Sequence, residues 1–382
     1  MSISQPARPS ITPAAIATFA TVLAGRITDT MSLSSQSGVA YSARFRRFQV
    51  RRVHGSASSC AFPSLSHRGR ACYLCPDMTA TRDSMPQPTH PYAPIIASAM
   101  RRPELWRVGI TLLAGLVISV VVTPLFYLVV GRLAPSLMPF QFGANGPMVG
   151  TTPGGLFTIL AGFALLLVGA IKLAERLHSR HLRDLTGPAP VLRAQFFVTL
   201  KWIAGFTFLT LLLPWDGPTE PVANLPGGMW LFWMPFAVLG LMVQVTAEEV
   251  FFRGYLQSQI AGATNSYALG LTASAVLFGL LHLSGTNEGI AALFPVLWAI
   301  GFGVLAGDLT MRSGTLGPAI ALHFMNNFTA MLFAPQQDMM SGFGLFMQTD
   351  SPEVLYSDPK ALVFQSLLLV VTWLVARLAI RR

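Results

Sequence analysis

The stretch AEEVFFRGYLQ, Ala247–Gln257, follows directly on LFWMPFAVLGLMVQVT, Leu231–Thr246. Together they hold enough apolar length to cross a bilayer, which takes about 20 residues. Two carboxylates and a guanidinium are expensive in that setting and mark a functional site by default. Glu249 and Arg253 stand four apart, so on a helix they share a face and can pair. Glu248 is turned by about 100° and looks elsewhere. One carboxylate is therefore expected to be held by Arg253 while its neighbour faces a cavity.

The rest of the chain agrees with a membrane setting. Of 382 residues, 52% are hydrophobic and 11% charged, against about a quarter charged in soluble domains. The fold class is read as an all-α polytopic membrane protein, a bundle of about eight transmembrane helices with a polar intramembrane cavity. Apolar runs place the spans near 107–131, 154–174, 194–214, 230–257, 267–285, 289–309, 315–334 and 361–380. Eight spans put the Arg-rich segments, from Arg101 and Arg102 through Arg176–Arg193 and Arg312 to Arg381, on one side. The opposite loops, such as DGPTEPVANLPGG, carry acids and almost no Lys or Arg. The positive-inside rule then makes both termini cytoplasmic, in the plasma (inner) membrane.

Four regions follow: a basic tail at 1–100, N-terminal transmembrane helices at 101–230, a catalytic core at 231–335, and an extracytoplasmic loop with the last helix at 336–382. The net charge of +10 sits mostly in the tail, where residues 1–102 hold twelve Arg against three Asp. Nucleic acid is therefore not an expected partner of the membrane body. The tail is rich in Ser, Ala, Pro and Arg and lacks apolar periodicity, so it reads as disordered. The run ITPAAIATFATVLAG suits a signal-peptide core and the Arg-rich, acid-poor flavour a transit peptide; a start at Met78, Met85 or Met100 is the other account. All three cysteines, Cys60, Cys72 and Cys75, lie in the tail. Cys72 and Cys75 with His54 or His67 lack the second pair a zinc ribbon needs.

Further polar residues recur in later spans. His282 closes SAVLFGLLH with Phe278 one turn earlier, and ALHFMNN places His323 and Asn327 four apart with Asn326 to the side. A rise of 1.5 Å per residue puts Glu248, His282 and His323 roughly 15–22 Å from the Arg-rich side. A carboxylate, two imidazoles and a carboxamide in one water-poor layer form the parts list of a hydrolase site. Singly, each has a plainer reading: an interface ion pair for Glu249 and Arg253, interhelical tethers for His282, His323 and Asn327.

The motifs AEEVFFRGYL, FGLLH and HFMNN, in that order, resemble the E-E-x-x-x-R, F-x-x-x-H and H-x-x-x-N motifs of the CAAX protease and bacteriocin-processing superfamily of intramembrane proteases, type II CAAX prenyl endopeptidases among them. The resemblance covers about residues 235–330. It implies a hydrolase, an intramembrane endopeptidase acting on a membrane-associated prenylated or leader peptide. In its terms Glu248 with His282 activates water, His323 and Asn327 donate to the oxyanion, Arg253 pairs with Glu249, and Phe278 packs the His282 face. It leaves a metalloprotease version open, in which Glu248, His282 and His323 bind a divalent metal such as zinc and Glu249 becomes the base. The metal-free version is preferred, since no H-E-x-x-H is present. A non-proteolytic membrane scaffold, immunity or regulatory protein of the same superfamily is the alternative function. A transporter is disfavoured, because the two halves show no internal repeat.

Overall fold

The structure, a computed structural model, describes residues 90–143, 146–212, 219–283 and 287–381. The expectations for the chain before residue 90, including disorder, leader peptides and the cysteines, lie outside the described residues. Among those described, the fold is all-α: α1 Ala93–Ala99, α2 Leu105–Leu133, α3 Pro153–His178, α4 Leu182–Thr186, α5 Ala189–Thr210, α6 Gly227–Thr264, α7 Tyr267–Leu280, α8 Gly289–Ser313, α9 Gly317–Leu332, α10 Pro352–Leu355 and α11 Pro359–Ala379. Short antiparallel pairs, β1 Phe140–Gly143 with β2 Gly146–Val149 and β3 Val222–Ala223 with β4 Phe346–Met347, lie in the connections.

Five helices, α2, α3, α6, α8 and α11, are long and apolar enough to cross a membrane. The protein is an integral membrane protein. Helices α5, α7 and α9 occupy the third, fifth and seventh expected positions. Lys201 and Arg193 lower the apolar character of α5, while α7 has 14 residues and α9 has 16. At 1.5 Å per residue these two are roughly 20–25 Å long, less than a bilayer's hydrocarbon core of about 30 Å.

Local chemistry sets the ends. Thr152 Oγ1 caps α3 by accepting from Gly155 N–H at 3.2 Å, and Ser266 Oγ caps α7 from Leu269 N–H at 3.2 Å, each satisfying one of the orphan donors of a first turn. Asn265 (φ 52°) ends α6 in the left-handed region that Asn tolerates, so the chain reverses into α7 within two residues. Gly314 (φ 72°) ends α8, and a Cβ there would collide with the Pro91 carbonyl. In α2 the turn Ile118–Val122 is π-helical, just before Pro124, which has no N–H to continue the ladder.

Helix α9 packs against α5, α6, α8 and α11, and α6 packs against α3, α7 and α9. The pair α6 and α9 therefore forms the centre of the bundle. Two expected boundaries shift. The fourth span, expected to stop at 257, continues as helix to Thr264 through a π-helical stretch, Val250–Gln257. The fifth, expected to reach 285, ends at Leu280, because the Nδ1 of His282 bonds the Phe278 carbonyl at 3.0 Å and Leu281, His282 and Leu283 donate to carbonyls only three residues back.

The tail boundary shifts as well. Helix α1 lies inside the expected 1–100 tail, yet Tyr92, Ile95, Ile96 and Ala99 are buried. A segment this short shows no periodicity, and its order comes from tertiary contacts instead. Gln259 Nε2 donates to the Ala99 and Arg102 carbonyls at 3.1 and 2.8 Å. Arg180, fully buried, donates to Ser98 Oγ at 3.0 Å, Gln259 Oε1 at 3.0 Å and Ser258 Oγ at 2.9 Å. A chain beginning at Met85 is expected to keep the thermal midpoint of the full protein in detergent. A chain beginning at Met100 loses buried side chains worth roughly 1.5–3 kcal/mol each and should melt several degrees lower. Equal midpoints would show that α1 contributes nothing.

Candidate functional site

The ion pair anticipated from spacing is present. Arg253 Nη1 donates to Glu249 Oε1 at 3.0 Å, with both side chains essentially inaccessible. It spans the junction where α6 passes from α-helix, ending at Glu249, into the π-helical stretch; such stretches occur often at functional sites. Every residue from Val250 to Gln257 is buried. The guanidinium is flanked by rings, with its carbon 4.4 Å from the Phe278 centroid and 5.6 Å from that of Phe302. Cation–π attraction strengthens in such a desolvated place.

The second carboxylate reaches the same neighbour from another side. His323 Nδ1 donates to Glu249 Oε1 at 2.8 Å, and His323 Nε2 lies 3.5 Å from Glu248 Oε2. Glu248 keeps 16% of its side chain accessible against 0% for Glu249. The two carboxylates therefore differ as expected in burial: Glu249 is sealed, and Glu248 keeps an accessible edge. Besides the expected pairing of Glu249 with Arg253, His323 joins both carboxylates. Phe302 packs its ring on His323 with centroids 4.8 Å apart, and Phe278 stands edge-on to it at 6.0 Å.

One turn away a second contact repeats the first. Asn327 Nδ2 donates to Gln244 Oε1 at 2.9 Å, and Asn326 Nδ2 donates to Asn327 Oδ1 at 3.1 Å. Gln244 and Glu248 are four apart on α6, His323 and Asn327 four apart on α9, so two antiparallel helices meet in successive rungs. His282 is placed differently. It sits past the end of α7, exposed, its ring 4.9 Å from Phe278, and among the described residues it forms no hydrogen bond or ion pair with Glu248. The Phe278 carbonyl can only accept, so Nδ1 carries a proton.

For a metal, the expected donors Glu248, His282 and His323 would have to converge. Glu248 and His323 do. Among the described residues no three His, Cys, Asp or Glu side chains form a metal-holding group. Two residues escaped the motif reading. Gln244 had a signal in its spacing from Glu248. Phe302, on the Gly-rich helix α8, had none, because an aromatic in an apolar helix reads as packing.

This geometry, rather than any single motif, gives weight to the comparison with known proteins. Residues 229–329 match the Rce1-like family. The family is described as type II CAAX prenyl endopeptidase Rce1-like. The matched segment runs from the start of α6 to α9 and contains Gln244, both glutamates, Arg253, His282, Phe302, His323 and Asn327. The chain is also 26% identical over 111 residues to the uncharacterized protein YyaK of Bacillus subtilis (strain 168), over 29% of this chain and 37% of that protein. The match thus spans little more than a third of the relative's length. No solved structure matches the chain.

The ion pair allows a direct test of what holds the matched segment together. Arg253→Met leaves Glu249 charged and buried with one partner, at an expected cost of roughly 3–5 kcal/mol. The double variant Glu249→Gln with Arg253→Met removes both charges and should recover most of it. Thermal unfolding in detergent reads the difference, and equal losses in the two variants would show that the pair is not coupled.

Proposed function

We propose that the protein is an intramembrane endopeptidase of the CAAX protease type, cleaving a membrane-associated prenylated or leader peptide. The observation that carries this reading is the meeting of Glu248, Glu249 and His323 between α6 and α9, with Asn327 one turn on. The protein would lie in the plasma (inner) membrane with both termini cytoplasmic, in keeping with the Arg-rich segments on one side.

In this reading Glu248 is the general base. It takes a proton from a water, whose oxygen attacks the peptide carbonyl, and the proton passes to the leaving amine. His323, protonated on both ring nitrogens in this reading, offers its Nε2–H to the developing oxyanion, and Asn327 Nδ2 donates beside it. Donors fixed in a water-poor site are worth roughly 3 kcal/mol each to the transition state. Glu249 anchors His323 through Nδ1, so the ring cannot turn. His282 would orient the attacking water with Glu248 once substrate is bound. Each step is carried by the chain's own side chains. The metal version retains Glu248, His282 and His323 as ligands, with the metal supplying Lewis acidity, and is distinguished below.

The alternative is a non-proteolytic membrane scaffold or bacteriocin immunity or regulatory protein. One observation favours it: the described contacts of His282 are those of a helix terminus.

Glu248→Gln keeps the volume and removes the base, so cleavage of a farnesylated C-a-a-X peptide by purified protein is expected to vanish while the fold persists. Wild-type turnover in that variant would sink the base assignment, and unaltered biological activity would favour the scaffold. His323→Ala should slow turnover by roughly 10² to 10³ with a measurable remainder, and wild-type turnover should survive a chelator. Stoichiometric zinc, with activity silenced by chelator and restored by zinc, would reassign Glu248, His282 and His323 as ligands.

A further inference from the structure

We propose that Gln244 is a positioning residue for the reaction, acting through Asn327. The proposal rests on the reading of Asn327 as an oxyanion donor and extends it to a residue outside the three motifs.

Gln244 lies in the apolar half of α6 and is 5% exposed. A carboxamide there can draw little on solvent, and lipid offers it no hydrogen bond. Among the described residues its side chain makes one hydrogen bond, and that bond is to Asn327. That bond ties α6 to α9 at the site itself. Its partner is the site's own amide.

The consequence concerns direction. A carboxamide has a donor end and an acceptor end of nearly the same shape, so packing alone does not decide which faces the substrate. Asn326 Nδ2 donates to Asn327 Oδ1 at 3.1 Å, and Asn327 Nδ2 donates to Gln244 Oε1 at 2.9 Å. The three amides form a chain of one polarity, and Gln244 terminates it as the acceptor. With the acceptor in place, one N–H of Asn327 Nδ2 is held on Gln244 Oε1, one turn of α6 from Glu248, and its second N–H remains for an oxyanion. Without it, Asn327 can turn over and offer Oδ1, whose lone pairs repel a developing negative charge.

Methionine at position 244 preserves length and removes the acceptor. Gln244→Met is expected to lower kcat about tenfold against the farnesylated C-a-a-X peptide with little change in KM, because the contact matters where charge develops. In an Asn327→Ala background the same substitution should change kcat less than twofold, since nothing is left to orient. A purely structural role would give the same fold-loss in both backgrounds, with a matching fall in thermal midpoint. Equal losses in both backgrounds, or wild-type kcat in Gln244→Met, overturn the proposal while leaving the proposed function intact if Glu248→Gln and Asn327→Ala remain impaired. Full turnover in those two variants overturns both.

Discussion

A carboxylate and a guanidinium, Glu249 and Arg253, are sealed from solvent in the middle of a membrane helix, and the surrounding architecture follows from making them tolerable. Neither charge could be buried alone, since desolvating an ion costs several kcal/mol even after relaxation. Their mutual bond at 3.0 Å supplies the first compensation, and His323 at 2.8 Å from Glu249 the second. The faces of Phe278 and Phe302 supply the third, as ring quadrupoles against the guanidinium. Three helices besides α6 thus contribute: α7 through Phe278, α8 through Phe302 and α9 through His323. Removing any one of them would leave a charge facing hydrocarbon.

The Arg-rich end of the bundle solves a related problem without a counter-charge. Arg180 is fully buried, and its donors are met by neutral acceptors: hydroxyls of Ser98 and Ser258, the Gln259 amide and the Asp184 carbonyl at 3.1 Å. Burial is the main effect that pulls its pKa down to about 10, which still leaves it charged at neutral pH. The carboxylate of Asp184 turns outward and pairs with Arg101 at 3.2 Å. A guanidinium can be satisfied in this way because it offers five donors in a plane. The result joins α1, the α3–α4 turn and the last turns of α6. It fixes the end of the helix whose middle carries Glu248.

Much of this was legible in the sequence, and the part that was not has identifiable causes. Spacing of four revealed the Glu249–Arg253 pair and the shared face of His323 and Asn327, because side-chain direction along a helix is nearly determined by count. The same rule reaches Gln244, one turn before Glu248. Which helix face meets which partner is a tertiary matter: packing of α6 on α9 brings His323 against both Glu248 and Glu249. The short end of α7 depends on a side chain competing for a backbone carbonyl, which hydropathy does not register. Helix α1 was hidden for the opposite reason: seven residues have no period, and their order resides in contacts with residues 82 to 160 positions away.

The length of α6 ties these features together. It runs for 38 residues, roughly 57 Å at 1.5 Å per residue, well beyond a hydrocarbon core of about 30 Å. A helix that long cannot place Glu248 at a set depth by hydropathy alone, because it could slide along its axis by a turn with little change in apolar burial. Its Arg-rich end is therefore pinned by Arg180 and by the two carbonyl contacts of Gln259. Its middle is pinned by the rungs to His323 and Asn327. Between those two anchors lies the π-helical stretch Val250–Gln257, where i→i+5 bonding widens the turn. A change of helical winding between two fixed points lets both sets of contacts be satisfied on one continuous helix, the buried guanidinium of Arg180 at one end and the paired glutamates at the other.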